Sequence, residues 1–169
     1  GGLANLGTLF QYDPTTATYT KKFDFDGAAN GSNPQGSLMQ TPDGMIYGMA
    51  SEGGLNNKGV LFQYDPTTST FTKKFDFSTM NGRTPLGRLI VGSDGMLYGT
   101  AIADGANGKG VLFQYDPSTS SFTKKYDFDG PNGDYPVDLI EASDGMLHGI
   151  TAQGGANSTA VLFQYSPAT

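Results

Sequence analysis

The residues of this chain that could do chemistry are few, and most are aspartates in turn-like segments. Asp24-Phe25-Asp26-Gly27 and Asp127-Phe128-Asp129-Gly130 each lead to an Asn-Gly pair, an oxygen-rich pattern distantly similar to calcium loops. Neither has the spacing of a calcium loop or its closing bidentate glutamate, and a third copy reads Asp76-Phe77-Ser78. We therefore expect turns, not a metal site. The weak calcium candidates are Asp24, Asp26, Asp127 and Asp129.

His148 is the only histidine, and the chain has no cysteine. A lone imidazole without a nucleophile or a second ligand makes neither a catalytic triad nor a zinc site. Two other copies of its segment have Tyr47 and Tyr98 at this position, so we expect His148 to fill an aromatic position. Glycine-rich stretches such as 105–110 lack the Gly-Lys-Ser/Thr ending of a phosphate-binding loop. We predict that the protein is not an enzyme and needs no cofactor.

Two short segments match the acceptor pattern for N-glycosylation, at Asn30 and Asn157. Because such matches often arise by chance, we treat glycosylation as a secondary hypothesis. The formal charge of −6 supplies no basic stripe, which argues against nucleic acid or an anionic membrane surface as a partner. No apolar run is long enough to span a bilayer, so we predict no membrane insertion. The start, Gly1-Gly2-Leu3, has neither a methionine nor a signal peptide, and we expect a processed product or an excised fragment.

The elements that hold these residues are repeated along the chain. Leu-Phe-Gln-Tyr occurs four times, with steps of 52, 51 and 50 residues between copies (Leu9–Tyr12, Leu61–Tyr64, Leu112–Tyr115 and Leu162–Tyr165). A period near fifty is typical of a modular array in which each unit stacks on its neighbours. A residue that returns in every copy is therefore first a residue of the fold.

Each unit reads as four short strands. In the middle copy, Asp94-Gly95 separates two strand-like runs and predicts a hairpin, while Asp116-Pro117 predicts a second turn. The 25 glycines and 9 prolines fit many short strands and turns, and no helical periodicity is present. The second strand carries a glycine in every copy (Gly48, Gly99 and Gly149), where we expect close approach of another backbone. We also predict one buried phenylalanine per unit (Phe10, Phe62, Phe113 and Phe163).

The order Asp-Gly, Leu-Tyr-Gly, glycine-rich link and Tyr-Asp-Pro-x-Thr resembles the kelch repeat of β-propellers. The Tyr-Asp-Pro-x-Thr turn is matched at 12–16, 64–68 and 115–119, whereas the usual tryptophan is absent. The chain is more similar to the GloVer-type tandem repeat of bacterial surface-anchored proteins, with its Asp-Gly-x-Leu-Tyr-Gly-Thr and Gly-x-Leu-Phe-x-Tyr segments. This resemblance covers nearly the whole chain. It implies a propeller-like or linear array of blades in a bacterial protein, extracellular or at the cell surface, and it carries over no catalytic residue.

Counting strands predicts an all-β array of four-stranded antiparallel blades in a single domain, 1–169. The units are a half blade (1–27), two complete blades (33–77 and 84–128) and a partial blade (136–165), which amounts to three blades and one extra strand. Known propellers close with about four to eight blades, so three leave unpaired edges and exposed faces. We therefore expect a homo-oligomer or polymer joined through sheet edges, including a filament. The assembly residues would be Leu9, Phe10, Tyr12, Leu162, Phe163 and Tyr165.

One route to assembly is donation of the surplus strand, Leu162–Tyr165, to the open edge of a neighbouring subunit. The function we expect is a non-enzymatic extracellular structural or adhesive module that self-assembles. Two alternatives stay open. A glycan-binding propeller lectin would need equivalent pockets between successive blades. An enzyme on a propeller scaffold would need an acid–base constellation, which the sequence does not show.

Overall fold

The computed structural model describes residues 1–167, and these form an all-β array of antiparallel sheets, as the sequence predicts. None of them forms a helix long and apolar enough to cross a membrane. The strands of the first half are β1 (Thr8–Asp13), β2 (Thr18–Asp24), β3 (Met39–Gln40), β4 (Ile46–Ala50), β5 (Val60–Asp65) and β6 (Thr70–Asp76). The second half has β7 (Ile90–Val91), β8 (Leu97–Ala101), β9 (Val111–Asp116), β10 (Ser121–Asp127), β11 (Asp134–Glu141), β12 (Leu147–Gln153) and β13 (Val161–Tyr165).

The sheets follow the repeat. β3-β4-β5-β6 form the first full blade, and β7-β8-β9-β10 form the second full blade. The half blade is the hairpin β1-β2, and the partial blade is the three-stranded sheet β11-β12-β13. Every strand pairs antiparallel with the next strand of its own unit, so each blade is a simple meander. Among the described residues, the half blade thus has a third and a fourth strand, and the partial blade lacks a fourth.

The turns between strands form through local side chains, as their residue types require. Asp116 Oδ1 accepts hydrogen bonds from the backbone N–H groups of Ser118 (2.8 Å) and Thr119 (3.3 Å), and Oδ2 accepts one from the Thr119 hydroxyl (2.7 Å). The Ser118 hydroxyl also donates to Oδ1 (2.6 Å). The bonds from the Ser118 and Thr119 hydroxyls are the main reason why the pKa of the Asp116 carboxyl is lowered to about 2. The repeated turn therefore fixes where each fourth strand begins.

The core lies between successive units, where apolar faces of neighbouring sheets meet. One cluster joins Tyr47 and Leu61 of the first full blade to Leu97 and Phe113 of the second. A second cluster joins the second full blade to the partial blade, and a third joins the half blade to the first full blade. Phe62 and Phe113 are fully buried, as predicted. Stability therefore depends on each blade having a neighbour on both faces.

In the two full blades the glycine of the second strand is explained by a side chain and not by the backbone approach expected from the sequence, whereas at Gly149 the backbone oxygen of Asp138 does approach, at 2.7 Å from an added Cβ. Gly99 lies opposite Phe113 on the neighbouring strand, and a Cβ added to Gly99 would lie 2.5 Å from Cζ of that ring. Gly48 has the same relation to Phe62. The phenylalanine ring folds back over its cross-strand neighbour, and only glycine leaves room for it.

Candidate assembly interfaces

The contact between two full blades shows what a complete interface contains. Phe122, at the start of β10, stacks on Phe75 of the preceding blade with ring centroids 3.8 Å apart and planes inclined by 1°. It also stacks on Phe113 of its own blade at 5.1 Å. Phe71 makes the same pair of contacts one unit earlier, with Phe23 at 3.7 Å and Phe62 at 5.1 Å. An aromatic residue on the fourth strand is therefore the centre of both of these junctions.

The N-terminal end face is the outer face of the half blade, and it exposes the aromatic residues that are covered elsewhere. Phe10 is 56% exposed, so the prediction that it is buried is wrong, although its equivalents Phe62 and Phe113 are buried. The reason is that no described strand pairs with the open edge of β1, and no described blade packs against its outer face. Tyr12 and Tyr19 are exposed on the same strands. Tyr19 still stacks on Phe10 at 5.2 Å, the arrangement of the buried pairs.

The C-terminal end face is the outer face of the partial blade. Leu162 is 75% exposed there, whereas Leu61 and Leu112 at the same repeat position are buried. Ile140 and Ile150 are exposed beside it. Phe163 and Tyr165, predicted with Leu162 as assembly residues, are only half-buried. Leu9 differs from Leu162, since it is only 6% exposed and lies in a cleft with Pro34 and Phe62 of the following unit.

His148 lies on this C-terminal end face, half-buried and opposite Gln164. Its repeat equivalents Tyr47 and Tyr98 are buried by the blade that follows them, and their hydroxyls accept hydrogen bonds from the glutamine opposite, at 3.0 and 2.7 Å. Burial raises the pKa of Tyr47 to about 12 and raises that of Tyr98 as well. The imidazole therefore occupies the position expected from the repeat, at a surface and not in an enclosed site.

A groove of about 340 Å³ marks where the partial blade lacks a fourth strand among the described residues. Tyr126, Phe128 and Phe163 line it beside β13. Phe128 and Phe163 meet edge-on with centroids 5.0 Å apart, as Phe77 and Phe113 do in the second junction. Tyr126 is partly exposed because no described residue takes the place that Phe122 has on Phe75. The groove is therefore lined by the aromatic residues of a junction but lacks the ring that Phe122 supplies in a complete one.

The four calcium candidates are engaged in bonds within the protein. Asp24 forms an ion pair with Lys21 at 2.6 Å, and this lysine is the main cause of its lowered pKa. Asp127 pairs with Lys124 at 2.8 Å. Both aspartates lie at the ends of fourth strands, where they also accept hydrogen bonds from backbone N–H groups.

The other two candidates cap the loops between units. Asp26 accepts two hydrogen bonds of 2.8 Å from the backbone and side chain of Asn30. Asp129 accepts the same pair from Asn132, which lowers its pKa. No group of three or more His, Cys, Asp or Glu side chains within residues 1–167 is arranged to hold a metal ion. The observed contacts fit loop formation.

The two glycosylation candidates differ in their surroundings. Asn30 is half-buried, and its side-chain amide donates to Asp26. Asn157 is exposed. At the equivalent position, Asn56 donates its amide to the backbone oxygen of Phe77 at 2.9 Å, just beyond a fourth strand. Asn157 is thus a residue that would hold a fourth strand of the partial blade.

Two residues of the interfaces are not among those that the sequence singles out. Tyr126 differs from Phe75 only by its hydroxyl, and its exposure depends on what packs against it. Ala160 is more informative, because the other three units have glycine at this position (Gly7, Gly59 and Gly110). A comparison of the copies position by position is the signal that finds it.

Comparison with known proteins agrees with this architecture. The model of the Gloeobacter/Verrucomicrobia repeat, a bacterial repeat family, matches residues 1–169. A search of curated protein sequences found no match.

Several solved structures with propeller-like folds are similar to the chain. TolB from Acinetobacter baumannii superposes with a TM-score of 0.63 at 19% identity, over 96% of this chain and 36% of that one. The extracellular domain of BT4673 from B. thetaiotaomicron gives 0.63 at 20% identity, over 97% and 19%. Streptogramin B lyase gives 0.58 at 16% identity, over 91% and 46%. The chain thus spans less than half the length of each, and the likeness shows the fold alone.

Proposed function

Because the chain belongs to the Gloeobacter/Verrucomicrobia repeat family, we propose that it is a non-enzymatic structural or adhesive module that works outside the cell and associates end to end with other subunits. Membership of a bacterial repeat family supports a modular role. The extracellular domain among the similar structures supports the location. The similarity to the kelch repeat concerns the order of motifs within one four-stranded blade.

The observation that carries this proposal is the relation between the two end faces. The N-terminal end face exposes Phe10, Tyr12 and Tyr19, and the C-terminal end face exposes Ile150 and Leu162. In the junction between the two full blades, the equivalent residues Met49 and Leu61 of one blade lie in one buried cluster with Phe113 and Tyr115 of the next, and Phe122 packs against it. The exposed faces are therefore the two halves of an interface that the chain already forms internally. Exposed apolar faces and open sheet edges of this kind favour association.

The residue types support a role without catalysis. The only histidine stands on an end face, and the aspartates with lowered pKa are engaged in turns and loop caps. In a structural role, the turns and loop caps formed by these aspartates fix the shape of each blade, so that successive blades present matching faces.

Association should appear in light scattering after size-exclusion chromatography over a range of protein concentrations, with negative-stain microscopy of the same samples. We expect a mass above that of one chain. Tyr19→Ser and Ile150→Ser remove exposed apolar groups from opposite end faces and should each shift the sample toward the monomer. Leu55→Ser is the matched control, because Leu55 is also exposed but lies in a loop of the first full blade.

Thermal melting of the three variants would show that each one folds. A compact monomer at every concentration would contradict end-to-end association. If that monomer bound sugars on a glycan array, the lectin alternative would take its place.

A further inference from the structure

Ala160 sets the partial blade apart from the other units. In the first full blade, Gly59 has a φ of +104°, and a Cβ there would lie 2.6 Å from Cδ of Pro85, which opens the next blade. Gly110 has the same relation to Pro136, also at 2.6 Å. Ala160 is not among the described residues with a positive φ, so its loop departs from this conformation. Adopting that conformation would strain an alanine and bring its Cβ against the proline of a following unit. The loop before β13 is therefore poorly suited to receive a next blade.

The half blade has a glycine at the position that Ala160 occupies before β13. Gly7 precedes β1 with a φ of +111° and lies against Pro34 of the following blade. Leu9 is buried, whereas Leu162 on β13 is exposed. The hairpin β1-β2 is thus a third and a fourth strand already joined correctly to the next blade.

This hairpin also fits the partial blade. Tyr19 on β2 corresponds to Phe122, the ring that stacks between Phe113 and Phe75. In the partial blade it would stack on Tyr126, whose face is open. Phe10 would lie over Gly149, where Phe163 now lies. Each pair that β13 makes with β12 would be replaced by an equivalent pair with β1, so few contacts are lost.

We propose that the β1-β2 hairpin of a second copy completes the partial blade by replacing β13, and that two copies close into a ring of six blades. The inference rests on the proposed end-to-end association and names the strands that carry it.

The ring size follows from the strand count. With β13 displaced, each copy contributes β1 to β12, which is three blades' worth of strands. Propellers close with about four to eight blades, and six is the only multiple of three in that range. The chain curves as a propeller does, since 96% of it superposes on TolB with a TM-score of 0.63. A head-to-tail contact that closes in this way gives a discrete ring and not a filament.

A competing arrangement keeps β13 and takes only β2 from the second copy. Asn157 favours it, because Asn56 and Asn107 use the same amide to hold the end of a fourth strand. It requires the β1-β2 hairpin to open, although the turn at Asp13 holds that hairpin closed. It also leaves Ala160 against the proline of the next unit. We therefore favour replacement of β13.

Engineered cysteines distinguish the two arrangements, since the chain has none of its own. His148 is paired with Gln164, whose equivalent on β1 is Gln11. A chain carrying Gln11→Cys and His148→Cys should therefore form disulfides between copies, and most of the oxidised protein should run as a covalent dimer. Directly opposite residues on antiparallel strands are close enough for such a bond.

A second double variant, Thr20→Cys with Gln164→Cys, tests the competing arrangement, because Gln114 pairs with Thr123 at the equivalent positions of the second full blade. It should stay uncross-linked. Gln114→Cys with Thr123→Cys is the matched control, and it should form its disulfide within one chain. A chain ending at Ala160 should still assemble, in contrast to the donation of the surplus strand expected from the sequence.

Light scattering of the unmodified chain should give one species of twice the chain mass of 17.8 kDa. Larger, open-ended species would overturn the six-bladed ring and leave the proposed association intact. Cross-linking only through Thr20 and Gln164, or loss of assembly on ending the chain at Ala160, would overturn the replacement of β13. A monomer at all concentrations would contradict both this inference and the proposed function.

Discussion

Phe122 and Phe75 stack face to face with centroids 3.8 Å apart, and this contact joins the second full blade to the first. The same stack between Phe71 and Phe23 joins the first full blade to the half blade. The strands of one blade are held by hydrogen bonds, whereas successive blades are held by burial of such rings. The stability of the array should therefore respond most to aromatic residues at the junctions.

Replacing Phe113 by alanine should lower the free energy of unfolding by about 3–5 kcal/mol, because it removes a fully buried ring and leaves a cavity. Phe10→Ala is a matched control at the same repeat position, where the ring is exposed, and it should cost far less. Denaturant titration of both variants measures the difference. Equal losses would contradict the burial seen in the structure.

Gly99→Ala should destabilise the protein by about 1–3 kcal/mol, the usual cost of overpacking, because the new Cβ would meet the Phe113 ring. In a chain that already carries Phe113→Ala, the same glycine substitution should cost much less. Unfolding free energies of the four proteins in this cycle give the coupling between the two positions. Additive effects would show that some other contact requires the glycine.

Asp116→Asn should weaken the protein near neutral pH but not in strong acid. The bonds from Ser118 and Thr119 lower the folded-state pKa of Asp116 from 3.8 to about 2. A lowered pKa contributes stability above pH 3.8 that is lost as the pH falls to about 2. The difference in melting temperature between wild type and variant should therefore shrink across this window. A difference that stayed constant down to pH 2 would contradict the turn bonds as its source.

Removing divalent metal should leave the melting temperature unchanged. Asp24 and Asp127 are paired with lysines, and Asp26 and Asp129 cap loops, so these turns need no ion. Thermal melting with EDTA and again with added calcium tests this expectation. A rise of several degrees with calcium would instead support an ion site at these aspartates.

Much of the fold could be predicted from the sequence because its signals are local. The Asp-Gly and Asp-Pro turns lie within a few residues of the apolar strands that they join, and the repeat shows each turn three times. The burial of Phe62 and Phe113 followed from the same pattern. A comparison of the copies position by position also identifies Ala160 as the one departure from glycine at its position.

The outcomes at Phe10 and Gly99 depended on contacts far away in the chain. Phe10 and Phe113 share the same local sequence, Leu-Phe-Gln-Tyr, yet only Phe113 has a second strand beside it and a blade before it. Likewise, the group that approaches Gly99 is the Phe113 ring of the neighbouring strand, and not a backbone segment.

The sequence by itself determined the strands, the turns and the number of units, since these depend on hydrogen bonds and dihedral preferences within short segments. Only the tertiary structure decided which copies of the repeated residues are buried, because burial depends on the neighbouring unit. Most residues of the two end faces, such as Phe10 and Leu162, have the same type as their buried equivalents, and what leaves them exposed is the absence of a described blade against them. That difference is the reason why we propose an interface at the two ends.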